Sequence, residues 1–192
     1  MYKLCKTEQS AARQRELEEG LLEAMSVRQY DEISVSDLCE RIGIPRKSFY
    51  RYFSGKDGAL HALIDHTLLS YESYNIPTRP GEKRPHYTEL EKFFSFWLQQ
   101  KPLLDALGRS SLSGELVIRT VNHALSDEGI PVLYLRQSEK TVRQHAITFG
   151  VCGLMSLVLD WHKGGYEISP RQMSAIAIRL LTEPLFSKGD PM

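Results

Sequence analysis

Apolar residues recur at intervals of three or four along most of the chain, and no segment shows sustained alternation of apolar and polar residues. The first such pattern covers residues 11 to 26. There Leu17, Leu21, Leu22 and Met25 share one side of a helix and charged residues occupy the other. Because this spacing is that of an α-helix rather than a strand, the pattern predicts an all-α fold.

A second, shorter helix is predicted from Val35 to about Ile42. Val35, Leu38 and Ile42 form one apolar stripe. Ser34 is followed three positions later by Asp37, which resembles a capping box with aspartate in place of the usual Glu or Gln. These local features predict where the helix begins and which of its faces is buried.

A third helix is predicted from Pro45 to Tyr52. Gly43 favours the left-handed conformation that ends the preceding helix, and Pro45 has a backbone angle suited to the start of the next one. Phe49 and Phe53 lie four residues apart and therefore share a face. Two short helices joined by a turn of about three to four residues are typical of a helix-turn-helix that reads DNA.

Basic residues are concentrated in this predicted unit. The chain has 24 basic and 24 acidic residues, so its net charge is zero. Between residues 41 and 56, however, five residues are basic and none is acidic. Local asymmetry of this kind builds a phosphate-binding face in a neutral protein. The polar residues of the third helix are Arg46, Lys47, Ser48, Tyr50 and Arg51.

The rest of the chain is also predicted to be helical. Ser54 and Asp57 repeat the capping pattern, so a fourth helix is expected to begin near Lys56. The proline-rich segment 75–86 cannot be regular throughout, and it marks a domain boundary. Further helices are predicted at 89–101, 102–107, 114–125, 139–163 and 170–186. The last begins with Ser169, Pro170 and Gln172 at the cap, first and third positions.

The composition favours a cytoplasmic protein. Cys5, Cys39 and Cys152 are odd in number and widely separated, so neither a disulfide framework nor a CxxC metal site fits. No secretory signal is apparent at the N-terminus. The longest apolar run, residues 146–159, is shorter than the about 20 residues that span a bilayer, so we expect a buried helix and no membrane association.

Catalysis has little support in the sequence. The GRSSL segment at Gly108 lacks the second glycine of a nucleophile elbow and has no strand before it. The six histidines form no HExxH motif, and no glycine-rich phosphate loop follows a strand. We therefore expect no enzyme, no cofactor and no metal site.

The chain resembles the tetracycline-repressor (TetR/AcrR) family over about residues 15 to 65. A weaker similarity covers the later helices. Three positions depart from the family pattern: Ile42 stands where alanine is common, Gln29 where a glycine often precedes the aromatic residue, and Gly58 inside the start of the fourth helix suggests a mobile hinge. The residues that carry the resemblance are Ser34, Leu38, Cys39, Ile42, Gly43, Ile44, Pro45, Ser48, Phe49, Tyr50, Tyr52, Phe53 and Lys56.

Candidate DNA contacts follow from the motif and from this resemblance. A recognition helix points its N-terminal residues at base edges, so Arg46, Lys47 and Ser48 are candidates for base contacts, with phosphate contact or simple solvation as the alternative. The resemblance implies phosphate contacts for Tyr50 and Lys56. Ser34, Ser36 and Arg51 complete the set, although the Ser34 hydroxyl is expected to serve the helix cap first.

The resemblance also implies a dimer built from the last two long helices. Gly150, Gly153 and Ser156 recur every three residues along a helix that is apolar nearly all round. Its own domain can hardly cover such a helix, and the last helix offers a second apolar stripe. An ordinary monomer core is the alternative. The predicted interface residues are Gly150, Gly153, Leu154, Leu157, Met173, Ile176, Ala177 and Leu180.

Aromatic residues of the C-terminal half are candidates for an effector pocket, although aromatic residues at helical spacing are more often plain core. Arg119 and Asp160 could orient a polar ligand. The pocket candidates are Phe94, Trp97, His123, Tyr134 and Trp161.

The sequence thus predicts a flexible tail (1–10), a helix-turn-helix domain (11–56), a linking helix (57–74) and a helical effector-binding and dimerisation domain (75–192). The expected function is that of a homodimeric regulator that binds double-stranded DNA at a near-palindromic operator and responds to an unidentified small molecule, with repression as the expected outcome. The alternatives are a dimeric ligand-binding or interaction module with a vestigial DNA unit, and a small helical enzyme.

Overall fold

The computed structural model describes residues 1–3, 5, 7–74, 86–126 and 140–183, and the elements in these ranges are helical, as predicted. A short 3-10 turn, Tyr30–Glu32, lies between the first two α-helices. The α-helices of the described ranges are α1 (Glu8–Val27), α2 (Val35–Ile42), α3 (Arg46–Tyr52), α4 (Lys56–Tyr74), α5 (His86–Gln99), α6 (Lys101–Arg109), α7 (Ser113–Ser126), α8 (Lys140–Lys163) and α9 (Pro170–Thr182).

Helix α2 has the predicted limits and the predicted caps. The Ser34 hydroxyl accepts the Asp37 N–H over 3.1 Å, and the Asp37 carboxylate accepts the Ser34 N–H over 2.9 Å. Gly43 ends the helix at φ 73° and ψ 35°, which is the left-handed conformation. Pro45 caps α3, which begins one residue later than predicted. The sharp turn that separates α2 from α3 therefore depends on one glycine and one proline.

Helices α1 to α4 share an apolar core. Leu17 and Leu21 of α1, Phe49 of α3 and Ile64 of α4 are fully buried. Phe53, directly after α3, is also buried, and its ring lies 5.1 Å from that of Phe49. The underside of α3 is thus fixed by aromatic packing.

The unusual Ile42 of α2 faces a glycine of α1. A β-carbon at Gly20 would lie 2.4 Å from Ile42 Cδ1, which is closer than two carbon atoms can approach. The missing side chain on α1 therefore makes room for the larger side chain on α2. This size exchange accounts for the departure from the alanine that is common at position 42 in the family.

Part of the segment predicted as a flexible tail, residues 1–10, packs against the end of α3. Tyr2 forms an isolated antiparallel bridge with Phe53, and the Lys3 N–H donates to the Tyr52 carbonyl over 2.9 Å. Helix α1 also begins inside that segment. Backbone pairing with a distant part of the chain is invisible to a composition-based prediction.

Helix α4 begins at Lys56, as predicted, but the proposed capping pair has other partners. The Ser54 hydroxyl donates to the Met1 carbonyl over 2.9 Å. The Asp57 carboxylate accepts the Tyr30 hydroxyl over 2.6 Å. Ser54 and Asp57 therefore bond to residues that are distant in sequence and not to each other.

Gly58 owes its identity to a close approach and not to a hinge. A β-carbon at this buried position would lie 2.5 Å from the Met1 carbonyl oxygen. The N-terminal segment packs directly on this turn of α4, so the interpretation of Gly58 as a hinge is not supported.

The C-terminal helices pack in two pairs, α5 with α9 and α7 with α8. Helix α9 has the predicted capping box, in which the Ser169 N–H donates to the Gln172 side chain over 2.9 Å. It ends at Thr182, before the predicted residue 186. Residues 184–192, like most of the predicted loop before α5, lie outside the described ranges.

Helix α8 agrees within one residue with the predicted range 139–163, and it extends well beyond its apolar run. Val142–Lys163 is long and apolar enough to cross a membrane by length and composition, with a mean hydropathy of 1.3 over its most apolar window, but only 28% of that window is buried. The prediction that this helix is too short to span a bilayer considered only the apolar run 146–159. Much of this helix therefore lacks cover from its own subunit.

Candidate nucleic-acid interface

Helix α3 presents its polar residues on the side opposite its buried aromatic residue. Arg46 and Tyr50 lie four residues apart, as do Lys47 and Arg51, so the four share one face. All four are exposed, and Tyr50 retains 45% of its accessible surface. Phe49, on the other side, retains none. The helix is anchored by one face and open to a partner on the other.

The cations of this face are electrostatically unpaired. Arg46, Lys47 and Arg51 form no salt bridge with any carboxylate of the described residues. Nearby, Arg41 is paired with Glu23, at 3.7 Å on the surface of α1 and α2. Cations that stay unpaired in the free protein are available to phosphates and to base edges.

The three predicted serines differ in their surroundings. Ser34 is exposed, and its hydroxyl forms the α2 cap. Ser36 is exposed in the first turn of the same helix, whereas Ser48 of α3 is half-buried. Ser48 also donates its backbone N–H to the Pro45 carbonyl over 2.8 Å. Of the three, Ser36 is exposed and its hydroxyl takes no part in the α2 cap.

Lys56 lies at the first residue of α4 and is half-buried. Its Nζ donates to the Tyr30 carbonyl over 2.5 Å and lies 4.1 Å from the centre of the Tyr30 ring. An ammonium group has three protons, so this contact leaves others for a second acceptor. The predicted role of Lys56 as a phosphate contact is compatible with this geometry.

Tyr30 is a functional candidate that sequence reasoning treated only as an apolar residue. It is 6% exposed. Its hydroxyl donates to Asp57, and its backbone N–H donates to the Ser110 hydroxyl over 2.9 Å. Burial, reinforced by the hydrogen bond to Asp57, raises the pKa of Tyr30 far above its ordinary value. The ring is therefore neutral and fixed beside Lys56.

Part of the exposed surface of α8 and α9 is apolar, and it contains only some of the predicted dimer residues. Ile176 and Leu180 each retain 42% of their surface, and Gly153 is exposed. Phe149, which the prediction omitted, retains 74%. Ser156 is exposed on the same side of α8. We call Phe149, Gly153, Ser156, Ile176 and Leu180 the apolar surface of α8 and α9.

Four predicted interface residues instead belong to the core of the subunit. Leu154 is 2% exposed, Met173 6% and Ala177 0%, so little of these side chains remains for a partner to bury. Gly150 is buried as well, and Leu157 is half-buried. On a helix that is apolar nearly all round, periodicity does not distinguish the side that faces its own subunit.

The predicted pocket residues are largely packed into the core. Phe94 is 0% and Trp97 1% exposed. The Trp161 indole N–H donates to the Ile168 carbonyl over 2.9 Å, and His123 contacts Glu72 over 2.6 Å. Tyr134 lies outside the described residues.

Two further observations bear on that pocket. Arg119, considered as a ligand-orienting group, forms a two-pronged pair with Asp65 instead. The Trp97 indole Nε1 is buried and has no hydrogen-bond partner among the described residues. A buried donor without an acceptor is costly, so Trp97 remains the candidate that best fits contact with a polar ligand atom.

The comparisons with known proteins agree with this architecture. A sequence family described as "Bacterial regulatory proteins, tetR family" matches residues 19–63. That range extends from the middle of α1 into α4 and contains the whole of α2 and α3. No curated protein matches the chain.

Three solved structures share the fold. A tetR-family transcriptional regulator from Streptomyces coelicolor has a TM-score of 0.58 and 20% identity, covering 86% of this chain and 79% of that one. The regulator FadR from Bacillus subtilis in complex with stearoyl-CoA has a TM-score of 0.55 and 13% identity, covering 90% and 99%. The dihydroxyacetone kinase operon activator DhaS has a TM-score of 0.54 and 15% identity, covering 88% and 93%.

At these identities the structural likeness establishes the fold, and the sequence match identifies the helix-turn-helix within it. Together with the unpaired cations of α3, these findings lead to one conclusion: residues 19–63 form the helix-turn-helix unit of the tetR family of bacterial regulatory proteins, and the chain shares the fold of a tetR-family transcriptional regulator.

Proposed function

We propose that the protein binds a near-palindromic operator as a homodimer and places α3 of each subunit in a major groove. The half-sites of such an operator lie about one helical turn apart, or a multiple of that distance. The exposed face of α3 carries this proposal, because Arg46, Lys47 and Arg51 are unpaired over a fully buried Phe49. Cations exposed on a rigid helix are suited to binding a polyanionic partner.

Within that face we assign base reading to the N-terminal end of α3. Arg46 suits paired contacts to O6 and N7 of guanine, and Lys47 reaches the same acceptors with a single, less directional group. Tyr50, Arg51 and Lys56 contact the phosphate backbone, together with the exposed hydroxyl of Ser36. Base contacts set the preferred sequence, and phosphate contacts set the register and the salt dependence.

A second copy of this chain is the occupant we assign to the apolar surface of α8 and α9. In a two-fold dimer the same patch meets itself, so an apolar patch is its own complement. Gly153 has nothing within 4 Å of an added β-carbon, so its own subunit gives no steric reason for a glycine there. A glycine inside a helix costs about 1 kcal/mol relative to alanine, and close approach of a partner helix would account for it.

We propose that a small molecule enters the C-terminal half near Trp97 and regulates operator binding. The unpartnered Trp97 indole supports a ligand that presents an acceptor atom inside an otherwise apolar site. Stearoyl-CoA is the first probe to test, because FadR from Bacillus subtilis was seen with it. A rise in melting temperature with stearoyl-CoA in the wild type that is lost in Trp97→Phe would support this site.

Repression in the cytoplasm is the regulatory outcome we propose, because occupancy of a promoter by a dimer is by itself enough to block it. DhaS is an activator despite its similar fold, so the fold does not decide the direction of regulation. A reporter driven by the selected operator separates the two outcomes. Repression predicts higher reporter output when the gene for this protein is deleted, and activation predicts lower output.

Operator selection from a random duplex pool tests the DNA-binding function. The wild type is expected to enrich one near-palindrome with two equivalent half-sites. The double variant Arg46→Ala, Lys47→Ala serves as the control, since both side chains are exposed and the fold should not depend on them. A wild type that enriches nothing at low ionic strength, while remaining folded, would contradict the proposal and favour a vestigial DNA unit.

We also propose that the protein has no enzymatic activity of its own. Among the described residues, no group of three or more His, Cys, Asp or Glu side chains is arranged to hold a metal ion. Turnover of any compound that raises the melting temperature, measured at enzyme concentrations well above background, would contradict this part of the proposal.

A further inference from the structure

Tyr30 connects the turn between α6 and α7 to the beginning of α4 through three different groups. Its backbone N–H donates to Ser110 Oγ over 2.9 Å, and its carbonyl accepts from Lys56 Nζ over 2.5 Å. Its hydroxyl donates to Asp57 over 2.6 Å. We propose that Tyr30 is a positioning residue for the Lys56 ammonium at the DNA backbone, and that Ser110 makes this position depend on the C-terminal half. This inference rests on the proposed DNA-binding function.

The Lys56 ammonium is already restrained before DNA binds. Its Nζ is held both by the Tyr30 carbonyl and by the face of the Tyr30 ring, 4.1 Å from the ring centre. An unrestrained lysine side chain loses rotamer freedom when it binds a phosphate. Here that freedom is already reduced in the free protein, while protons of the ammonium group remain for a phosphate oxygen. Tyr30 therefore prepares Lys56 for binding.

Tyr30 is itself held rigidly. Tyr30 begins the 3-10 turn, and its carbonyl also accepts the Ile33 N–H over 3.1 Å. The side chain is anchored at its far end by Asp57, the residue next to Lys56. A displacement of the Tyr30 backbone is therefore passed on to the carbonyl and ring that hold the ammonium.

Ser110 connects Tyr30 to the C-terminal half. Ser110 caps α6, and Ser111 follows it in a left-handed conformation at φ 57°, which is unusual for a residue other than glycine. The next residue, Leu112, donates its N–H to the Leu107 carbonyl over 2.8 Å. The turn is thus well defined, and it directs the Ser110 hydroxyl at a residue 80 positions away in sequence.

The ion pairs between α7 and α4 act elsewhere on α4, and α6 also packs against α1. Arg119 of α7 pairs with Asp65, more than two turns beyond the start of α4, and Tyr2 shares that carboxylate. Ser110 differs because its acceptor oxygen faces the residue that holds Lys56. A shift of the α6–α7 turn would therefore alter a phosphate contact directly, without requiring rotation of the whole of α4.

The test is a double-mutant cycle in operator affinity, measured across a range of salt concentrations with the selected duplex. Lys56→Met should lower the slope of log affinity against log salt by about one per subunit contact. Ser110→Ala should weaken operator binding about threefold or more. In the double variant, Ser110→Ala should have almost no further effect, because Ser110 acts through Lys56.

The controls separate positioning from general stability. Ser110→Thr keeps the hydroxyl and should retain wild-type affinity. Ser126→Ala removes another serine hydroxyl of the C-terminal half, one that donates to the His123 carbonyl of its own helix, and should change nothing. Melting temperatures confirm that each variant is folded. A purely structural role for Ser110 would lower the melting temperature and leave the salt slope unchanged.

Additive losses in the double variant, or an unchanged salt slope in Lys56→Met, would overturn this inference and leave the assignment of α3 intact. A folded wild-type protein that selects no duplex would instead overturn the DNA-binding function and this inference together. The two failures are therefore distinguishable.

Discussion

The two ends of the molecule expose opposite chemistry. On α3 Phe49 is fully buried and three cations are exposed beside Tyr50, whereas α8 and α9 expose large apolar side chains such as Phe149, Ile176 and Leu180. Phe149 retains 74% of its surface, while Phe49 retains none. A hydrated cation is stable in water and gains from an anionic partner, but an exposed phenylalanine gains only from burial.

This difference indicates the kind of partner at each end. The N-terminal unit is complete within one subunit and offers charge to a polyanion. The C-terminal pair of helices leaves apolar side chains exposed, which in the proposed dimer would be buried against the same surface of a second copy. The following predictions test that division, beginning with the largest expected effect.

Phe149→Glu should break the dimer and leave the reading unit folded. An unpaired carboxylate buried at the interface costs at least about 3 kcal/mol, which weakens dimerisation at least about 100-fold. Sedimentation velocity over a range of protein concentrations measures the change. Ile118→Glu is the matched control, because Ile118 is 58% exposed on α7, outside the apolar surface of α8 and α9. Equal effects of the two substitutions would contradict the proposed location of the interface.

Gly20→Ala should destabilise the N-terminal unit specifically. The added methyl group would lie 2.4 Å from Ile42 Cδ1. Overpacking costs about 1 to 3 kcal/mol, and the better helix propensity of alanine returns up to about 1 kcal/mol, so a net loss of about 1 kcal/mol is expected. Urea denaturation measures it.

Two comparisons sharpen that result. Combined with Ile42→Ala, the Gly20→Ala change should cost less than it does alone, because the smaller side chain restores the space. Gly114→Ala in α7 is the control, since nothing lies within 4 Å of its added β-carbon. If Gly20→Ala and Gly114→Ala behave alike, the size exchange between α1 and α2 does not exist.

The serine capping boxes of α2 and α9 allow a matched test of the two halves. Ser34→Ala and Ser169→Ala each remove the same cap and should each cost about 1 kcal/mol of unfolding free energy. Only Ser34→Ala is expected to weaken operator binding as well, because α2 lies in the reading unit. An equal effect of Ser169→Ala on operator affinity would contradict the assignment of operator binding to the N-terminal half.

Mild acid should weaken the C-terminal half through His162. Burial lowers the pKa of His162 below 6.5, against the opposing effect of Asp105. Protonation therefore favours the unfolded chain, and stability is lost as pH falls from the unfolded pKa toward the lower folded one. In the N-terminal half, the hydrogen bonds from Ser34 hold the pKa of Asp37 below 3.8, so that cap persists to lower pH.

His162→Gln should remove part of the stability loss between about pH 7.5 and about pH 5.5, by less than about 1 kcal/mol. Urea denaturation at the two pH values measures this small effect. An unchanged pH dependence in the variant would show that His162 does not contribute.

Local features were predictable from sequence wherever a few neighbouring residues decide the structure. The limits of α2, its Ser34 cap and the left-handed Gly43 depend on contacts within about one helical turn. The exposed face of α3 follows from the spacing of Phe49 and Phe53 in the same way. The resemblance to the family added expected functions for residues whose exposure the spacing had already predicted.

Long-range contacts were not predictable in this way. The Ser110 hydroxyl contacts a residue 80 positions earlier, and no periodic pattern reports such a pairing. The same limit applies to Tyr2 and its bridge to Phe53. On α8, where most positions are apolar, sequence alone could not assign Leu154 to the core and Phe149 to the surface.

The central claim, that α3 reads bases, is tested most directly by the affinity of Arg46→Ala for the selected operator and for duplexes altered at one base pair in each half-site. The claim predicts a loss of about 1 to 3 kcal/mol on the operator and a flattened preference at one position. Arg13→Ala, an exposed arginine on α1 paired with Glu16, should leave that preference intact. Equal losses of Arg46→Ala on every duplex would contradict base reading by this residue.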